Sequence, residues 1–334
     1  MLLEPAMNQM GAAINGCGLI GQKRARALGE TRLAACCDID LKRAEALARG
    51  APGCFVAANW EEAIAHPDVD IVIVATSHNL LAPIAAAAAG NGKHVLIEKP
   101  GARCAQELEA VARASARTGA AVRIGFNHRC HRALRKAREI VDSGLLGPLM
   151  FVRGRYGHGG RIGYEQEWRA RPEISGGGEL IDQGLHLIDL ARWFLGDFVQ
   201  VQGSIATYFW EMPVEDNGFL LLRTAEGQTA FLHASWTEWK NIFSFEIAGQ
   251  RGKLEVNGLG GSYGTERLTF YQILPEMGPP PTTIWEYPMA DDSWDLEFRE
   301  FLEDIRAGRP PDPGISAARA ALRIVQQIYQ DTRK

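Results

Sequence analysis

Ala12-Ala13-Ile14-Asn15, followed at once by Gly16-Cys17-Gly18-Leu19-Ile20-Gly21 and then by QKRARALGE, is the stretch that decides the fold. The first four residues read as a short strand and the last nine as a helix. G-x-G-x-x-G between a strand and a helix is what a pyrophosphate site requires. One glycine makes the tight turn, one lets backbone approach the phosphates, and one lets helix and strand pack closely. The motif is weak alone. It gains weight from LAACCD, a second strand ending at Asp38, about 20 residues past the glycines, where a carboxylate can accept from ribose hydroxyls. The same charge repels a 2′-phosphate, which favours NAD over NADP. Arg43 keeps NADP open, and capping of the next helix, DLKRAEALA, is the alternative role for Asp38.

Strands and helices keep alternating downstream. VDIVIVAT (69–76) is a near-continuous apolar run, as expected of a parallel strand covered on both faces. Thr76 and Ser77 end it at the edge where open α/β sheets hold their ligands. An alanine-rich helix (82–89), the strand KHVLIE, the tripeptide Glu98-Lys99-Pro100, the helix AQELEAVARASARTG and the strand AVRIGF follow. Together they predict a doubly wound parallel domain over residues 1–125. Lys99 follows an apolar strand at the ligand edge. From there its ammonium can hydrogen-bond a substrate hydroxyl and depress the pKa of a nearby histidine; an exposed loop lysine is the alternative. Pro100 could place a cis bond in this turn.

Past the helix RALRKAREIVDSG the pattern changes. MFVRGRY, VQVQGSIATYF, GFLLLRT, QTAFLHASW, FSFEIAG, GKLEVN and RLTFYQI are strand-like, many alternating apolar with polar, with glycine turns between several of them. They predict a large, mostly antiparallel open sheet in an α+β domain over residues 126–334, one face on a core. Two helices, SWDLEFREFLEDIRAG and SAARAALRIVQQIYQ, flank the break RPPDPG, and MGPPP (277–281) reads as an exposed loop.

Within this half lies GGGELIDQGLHLIDLARWFLG, opening at Gly176. Residues four apart on a helix are neighbours, so the Asp182 carboxylate can orient the His186 ring. At about 100° per residue, Asp182, His186, Asp189 and Trp193 share one stripe while apolar residues cover the remainder. Such a helix is buried, and its titratable stripe must be paired internally or line a cleft. Both a structural ion pair and an acid–base site satisfy that requirement; Asp189 reads as a structural partner. Gly184 points away from the stripe, toward close packing on a sheet. RYGHGGRIGYEQEWR, just upstream, reads as a substrate loop offering Tyr156, His158, Arg161 and Trp168. Asn127, Arg129 and Trp236 are further substrate candidates, with a core position the alternative for Trp236.

The 334 residues, 46% hydrophobic, suffice for two domains, and a formal net charge of −4 gives no electrostatic reason to expect nucleic acid. Six cysteines without a Cys-x-x-Cys read as buried free thiols of a reducing compartment. MLLEPAMNQMG lacks the pattern of a signal peptide, and the longest apolar run, LLAPIAAAAAG, is too short for a membrane span. A cytoplasmic location is the expectation. No Cys/His cluster has zinc or iron spacing, even with His158 counted, so no metal is expected.

With the glycine loop, Glu98-Lys99-Pro100 and GGGELIDQGLHLID in the same order along almost the whole chain, the sequence resembles the Gfo/Idh/MocA oxidoreductases. The resemblance implies a Rossmann domain followed by an open-sheet domain that mediates a homodimer or homotetramer. It implies Lys99, Asp182 and His186 as catalytic residues. Gly16, Gly18, Leu19, Ile20, Gly21, Asp38, Thr76, Glu98 and Lys99 are implied on the NAD site. The family often reads T-P-N-x-x-H after its fourth strand; here Thr76-Ser77-His78-Asn79-Leu80-Leu81 lacks the proline and puts Leu81 at the histidine place. No role is therefore carried over to His78 and Asn79. The expected reaction is hydride exchange between a nicotinamide and a secondary alcohol of a sugar, cyclitol or nucleotide-linked sugar. Two alternatives are an NAD-dependent glycosidase working by redox-neutral elimination and a non-catalytic NAD sensor; an intact acid–base set argues against the sensor.

Overall fold

The structure is a computed structural model and describes residues 9–276 and 278–332. Most of the segment read above for a leader, and Met277 of the MGPPP loop, lie outside the described residues. The chain divides into two compact units, Met1–Gly125 with Trp294–Arg319, and Phe126–Ser293 with Ala320–Lys334.

The first unit is built on β1 (Gly11–Asn15), β2 (Arg32–Cys37), β3 (Phe55–Val56), β4 (Ile71–Val74), β5 (His94–Glu98) and β6 (Val122–Gly125), in the order β3-β2-β1-β4-β5-β6. Every neighbouring pair is parallel. Strand order reverses between β1 and β4, which places a ligand crevice at their carboxyl ends. Ile14, Ile71, Ile73 and Leu96 are fully buried, as their continuous apolar strands require. The two-residue β3 carries no periodicity, so the sequence pattern does not show it.

A single cut at 125/126 does not describe the chain. Trp294–Arg319 return to the first unit because Phe298, Phe301 and Leu302 join the core of Ile14, Ile71 and Ile73. Electrostatics fix the same return. The Arg24 guanidinium, fully buried, meets Glu98 at 2.6 Å and Glu297 at 2.6 Å, while the Trp294 ring lies 4.5 Å from it. Arg123, also buried, holds Glu300 at 2.9 Å and Asp304 at 3.1 Å.

The second unit carries β7 (Leu149–Gly157), β8 (Phe198–Ala206), β9 (Asn217–Thr224), β10 (Thr229–Ser235), β11 (Ile242–Gly249), β12 (Gly252–Asn257), β13 (Glu266–Gln272) and β14 (Thr282–Tyr287). They form one sheet ordered β14-β13-β12-β11-β7-β10-β9-β8. β7 and β10 are parallel and the other neighbours antiparallel. The edge strand β14 goes beyond the seven strand-like segments read from sequence; TTIWEY is short and follows a proline run. Helices Arg132–Asp142 and Leu185–Leu195 cover one face. Their approach is close at Gly154, where a Cβ would press on Leu187, Leu232 and Phe245. On the other face Leu221 and Phe231, cross-strand partners, are 46% and 50% exposed.

Removing one member of a buried ion network leaves the other charge uncompensated, at about 3–5 kcal/mol. Arg24→Ala should lower the unfolding free energy by that amount, read as a lower urea midpoint at unchanged slope, and Glu297→Ala by less, because Glu98 still meets the cation; a loss under about 1 kcal/mol in both would show the network to be idle.

Candidate active site

In the first unit the three motif glycines are needed for three different reasons. Gly16 has φ +95, in the left-handed region, and a Cβ there would collide with the Ala75 carbonyl and crowd the Thr76 amide. A Cβ on Gly21 would collide with the Gly16 carbonyl. Gly18 is different: a Cβ on it would meet nothing closer than Arg43 Nη1 at 4.0 Å. Folding alone does not demand glycine at that position. Gly18 also begins the helix Leu19–Arg26, and no side chain caps that helix. Open amides at a helix start with bare backbone before them suit a pyrophosphate.

The neighbouring residues order this loop. Asp38 Oδ2 accepts from the Cys17 amide at 2.6 Å and Oδ1 from the Asp40 amide at 2.8 Å. It is Asp40 that caps the next helix, through the Lys42 amide at 3.1 Å. Each Asp38 oxygen retains lone-pair capacity for a ribose hydroxyl. Leu19 is 72% exposed. Ser77 Oγ donates to Asn79 Oδ1 at 2.8 Å, and His78 is buried. Lys99 and Pro100 are joined by a cis bond. The Glu98 carboxylate accepts from Arg24 Nε at 2.6 Å, which anchors the end of β5 immediately before Lys99.

In the second unit the glycine run is likewise explained by close approach. Gly176 has φ +82 and ends the helix Pro172–Ser175. A Cβ on Gly177 would collide with the Tyr329 hydroxyl, and one on Gly178 with the Glu215 carbonyl. The buried Glu215 Oε1 accepts from the Gly178 and Leu180 amides, each at 3.1 Å, and from Tyr329 Oη at 2.6 Å. One carboxylate therefore gathers the first amides of the helical segment that bears Asp182 and His186. Burial raises the Glu215 pKa, against the lowering effect of these donors.

The helix that follows is not uniform. Leu180–Gly184 form a π-helical turn before the α-helix Leu185–Leu195, so the even 100° stripe drawn from sequence does not hold across Asp182. π-Turns occur often at functional sites. Asp182 accepts from Arg169 Nε at 3.1 Å. His186 is buried, with the His128 ring stacked on it at 3.7 Å and the Phe126 and Tyr156 rings edge-on at 6.0 and 6.2 Å. Burial raises the Tyr156 pKa well above its usual value, so this phenol stays protonated. A Cβ on Gly184 would touch Ala234 of β10, the expected sheet packing.

Residues 10–126 match the sequence profile described as an oxidoreductase family with an NAD-binding Rossmann fold, and residues 134–255 match the Gfo/Idh/MocA C-terminal domain. The chain belongs to the Gfo/Idh/MocA oxidoreductases. It is 33% identical over 171 residues to levoglucosan dehydrogenase of Pseudarthrobacter phenanthrenivorans, a match spanning 51% of this chain and 44% of that protein. It is 26% identical to inositol 2-dehydrogenase of Salmonella typhimurium over 90% of this chain and 87% of that protein. A solved levoglucosan dehydrogenase in complex with NADH and L-sorbose shares the fold, with TM-score 0.87 at 22% identity over 97% of each chain. The fold also matches GenD2 from gentamicin A biosynthesis in complex with NAD, with TM-score 0.83 at 24% identity over 100% of this chain and 97% of that one.

The expected substrate residues of this family member meet the following partners. Arg129 forms a two-pronged buried pair with Asp189, at 2.7 and 2.6 Å, which makes Asp189 a structural partner. Asn127 Nδ2 donates to Ser293 Oγ at 2.9 Å. Trp236 is fully buried, edge-on to Tyr164 at 4.8 Å, and its carbonyl accepts from Trp210 Nε1. It is a core tryptophan and not a cleft residue. In the upstream loop His158 Nδ1 accepts from the Gly160 amide at 2.9 Å, Arg161 pairs with Glu167 at 2.5 Å, and the Arg169 guanidinium lies over the Trp168 ring at 4.5 Å. Arg169, His128, Glu215 and Tyr329 escaped sequence reasoning, because each meets its partner through the fold and not through local spacing. Among the described residues no group of three or more His, Cys, Asp and Glu is placed to hold a metal ion.

Gly18→Ala should leave the melting temperature within about 2 °C and lower NAD affinity at least about tenfold, measured by calorimetric titration. Gly21→Ala should instead destabilise the fold by more than about 1 kcal/mol through overpacking. Equal NAD affinity in parent and Gly18→Ala would remove the cofactor from this loop.

Glu215→Gln keeps the accepting oxygen and should stay folded, whereas Glu215→Ala should cost about 1–3 kcal/mol by orphaning buried donors. A carboxyl whose folded pKa is raised holds its proton while the unfolded chain has released it. Its contribution is therefore full below the ordinary value of 4.5 and falls as pH rises toward the folded pKa. Chemical denaturation across that window should show this falling component in the parent and not in Glu215→Gln.

Proposed function

We propose that this protein oxidises a secondary alcohol of a sugar, cyclitol or sugar derivative with NAD, using Lys99, Asp182 and His186. The observation that carries the reading is the buried imidazole of His186, set in an aromatic surround two residues past a π-turn that bears Asp182. Membership of an NAD-binding oxidoreductase family supplies the redox partner. The relatives' names support the substrate class: levoglucosan, inositol and, at 25% identity over 78% of this chain, D-xylose dehydrogenase of Paenarthrobacter nicotinovorans.

NAD, when bound, supplies a hydride acceptor. His186 takes the proton of the reacting hydroxyl as general base, which calls for a neutral imidazole at working pH. Asp182 stabilises the imidazolium that results, and Arg169 holds that carboxylate. Lys99, fixed after the Glu98 anchor, donates to the oxygen as carbonyl character develops. In the reverse direction the same groups return the proton. Gly16, Gly18, Gly21, Asp38 and Thr76 would hold the dinucleotide. Tyr156, His158, Arg161 and Trp168 are the substrate candidates retained.

The exposed Leu221 and Phe231 on the open sheet support a homodimer or homotetramer formed through that face. The six cysteines are free thiols, which suits a reducing, cytoplasmic setting, and no helix among the described residues is long and apolar enough to cross a membrane.

NADH formation on levoglucosan, inositol, D-xylose and nucleotide-linked sugars tests the reading. Lys99→Met and His186→Ala should each lower turnover by about 10²–10⁴-fold with NAD affinity retained. Near-normal turnover in both variants would refute the assignment, and aglycone release from aryl glycosides without net NADH would replace it by the eliminating glycosidase.

A further inference from the structure

His128 has no part in the chemistry described so far, yet its ring lies stacked on that of His186. The two planes lie 24° apart with centroids at 3.7 Å, and both residues are buried. The Phe126 and Tyr156 rings meet His186 edge-on and farther away. His128 is itself wedged. Tyr156, Phe243 and His131 pack around it at 5.1, 5.7 and 5.5 Å, and its Nδ1 faces Asn127 Oδ1 at 3.4 Å. The short turn carrying it, Asn127–Cys130, is bolted to the helix Leu185–Leu195 by the Arg129–Asp189 pair, whose acid lies three residues beyond His186. A buried fork-to-carboxylate pair of this kind fixes geometry as well as charge. The clamp thus sets the distance between the turn and the helix at the level of the two rings.

We propose that His128 is a positioning residue: its flat ring is the platform that holds the His186 imidazole at the angle its proton transfer requires. The proposal rests on His186 being the base. An imidazole has free rotation about its side-chain bonds unless packing removes it, and misplacement by about 1 Å can cost on the order of 10²-fold in rate. Edge contacts alone leave the ring face open; a stacked ring closes it. What acts is the planar surface, so a ring without nitrogen should serve.

The test compares His128→Ala and His128→Phe with the parent, using the panel sugar that gives the fastest NADH formation. His128→Ala should lower kcat about 10- to 100-fold with the KM for NAD unchanged, and His128→Phe should restore most of it. If His128→Ala does not fold, His128→Gln, of similar volume but without a ring, carries the same expectation. A substrate-free readout runs alongside. The ring current of a stacked neighbour shields His186, so its imidazole proton resonance should move downfield in His128→Ala and stay near the parent's in His128→Phe. Parent-like kcat and an unmoved resonance in His128→Ala would overturn the proposal. So would a His128→Phe variant as impaired as His128→Ala, which would assign the role to a ring nitrogen. Turnover surviving in His186→Ala would instead sink the base assignment itself. Turnover lost there but kept in full in His128→Ala would sink only the platform.

Discussion

A guanidinium taken wholly out of water must be met by carboxylates, and much of the first unit follows from where Arg24 finds them. One partner, Glu98, closes β5 just before Lys99; the other, Glu297, comes from a helix nearly 200 residues later in the chain. The pairing sets the end of a strand and returns a distant segment to the nucleotide fold in one arrangement. Two carboxylates face this one cation. Burial accordingly pushes the Glu297 pKa up, while Arg24 and Arg123 draw it down. Such networks are seldom a net source of stability, but they are expensive to break, which makes them good at specifying a single arrangement.

The second unit repeats the principle with a neutralising set of donors in place of a cation. Glu215 accepts two amides and a phenol at the start of the helical segment that bears Asp182 and His186, and Gly177 and Gly178 make room for that convergence. The π-turn that follows alters the angular relation between Asp182 and His186, and Arg169 and His128 then fix each of them from outside the helix. The aromatic surround and the Arg129–Asp189 clamp are built from residues whose neighbours in sequence are unremarkable. The arrangement depends on backbone geometry that only small residues allow, and on charges that only long-range contacts satisfy.

Much of this was legible in the sequence where physics is local. Five of the six parallel strands were foreshadowed by apolar runs alternating with helices; the two residues of β3 were too few to register. Asp38 was legible as a polar end to β2, and its actual hold on the Cys17 amide follows from that position. Glu98, read as a cofactor contact, was drawn to Arg24, and Arg129, read as a substrate contact, to Asp189. In both cases a charged side chain at a ligand edge found a buried partner far along the chain, and sequence spacing says nothing about such pairs. Trp236 went to the core because Tyr164 and Val214 enclose it.

The sequence by itself determined the order of strands and helices, the glycine loop, and the residue types available for hydride and proton chemistry. Strand period, turn glycines and capping are properties of a few adjacent residues, and so can be read from them. Only the tertiary structure decided which titratable groups are spent on holding the fold. It also placed Trp294–Arg319 with the nucleotide fold, turned the helix at Leu180–Gly184 into a π-turn, and laid His128 against His186. Those outcomes depend on which buried charges and ring faces meet across the chain, and desolvation makes each such meeting nearly obligatory once the fold has closed.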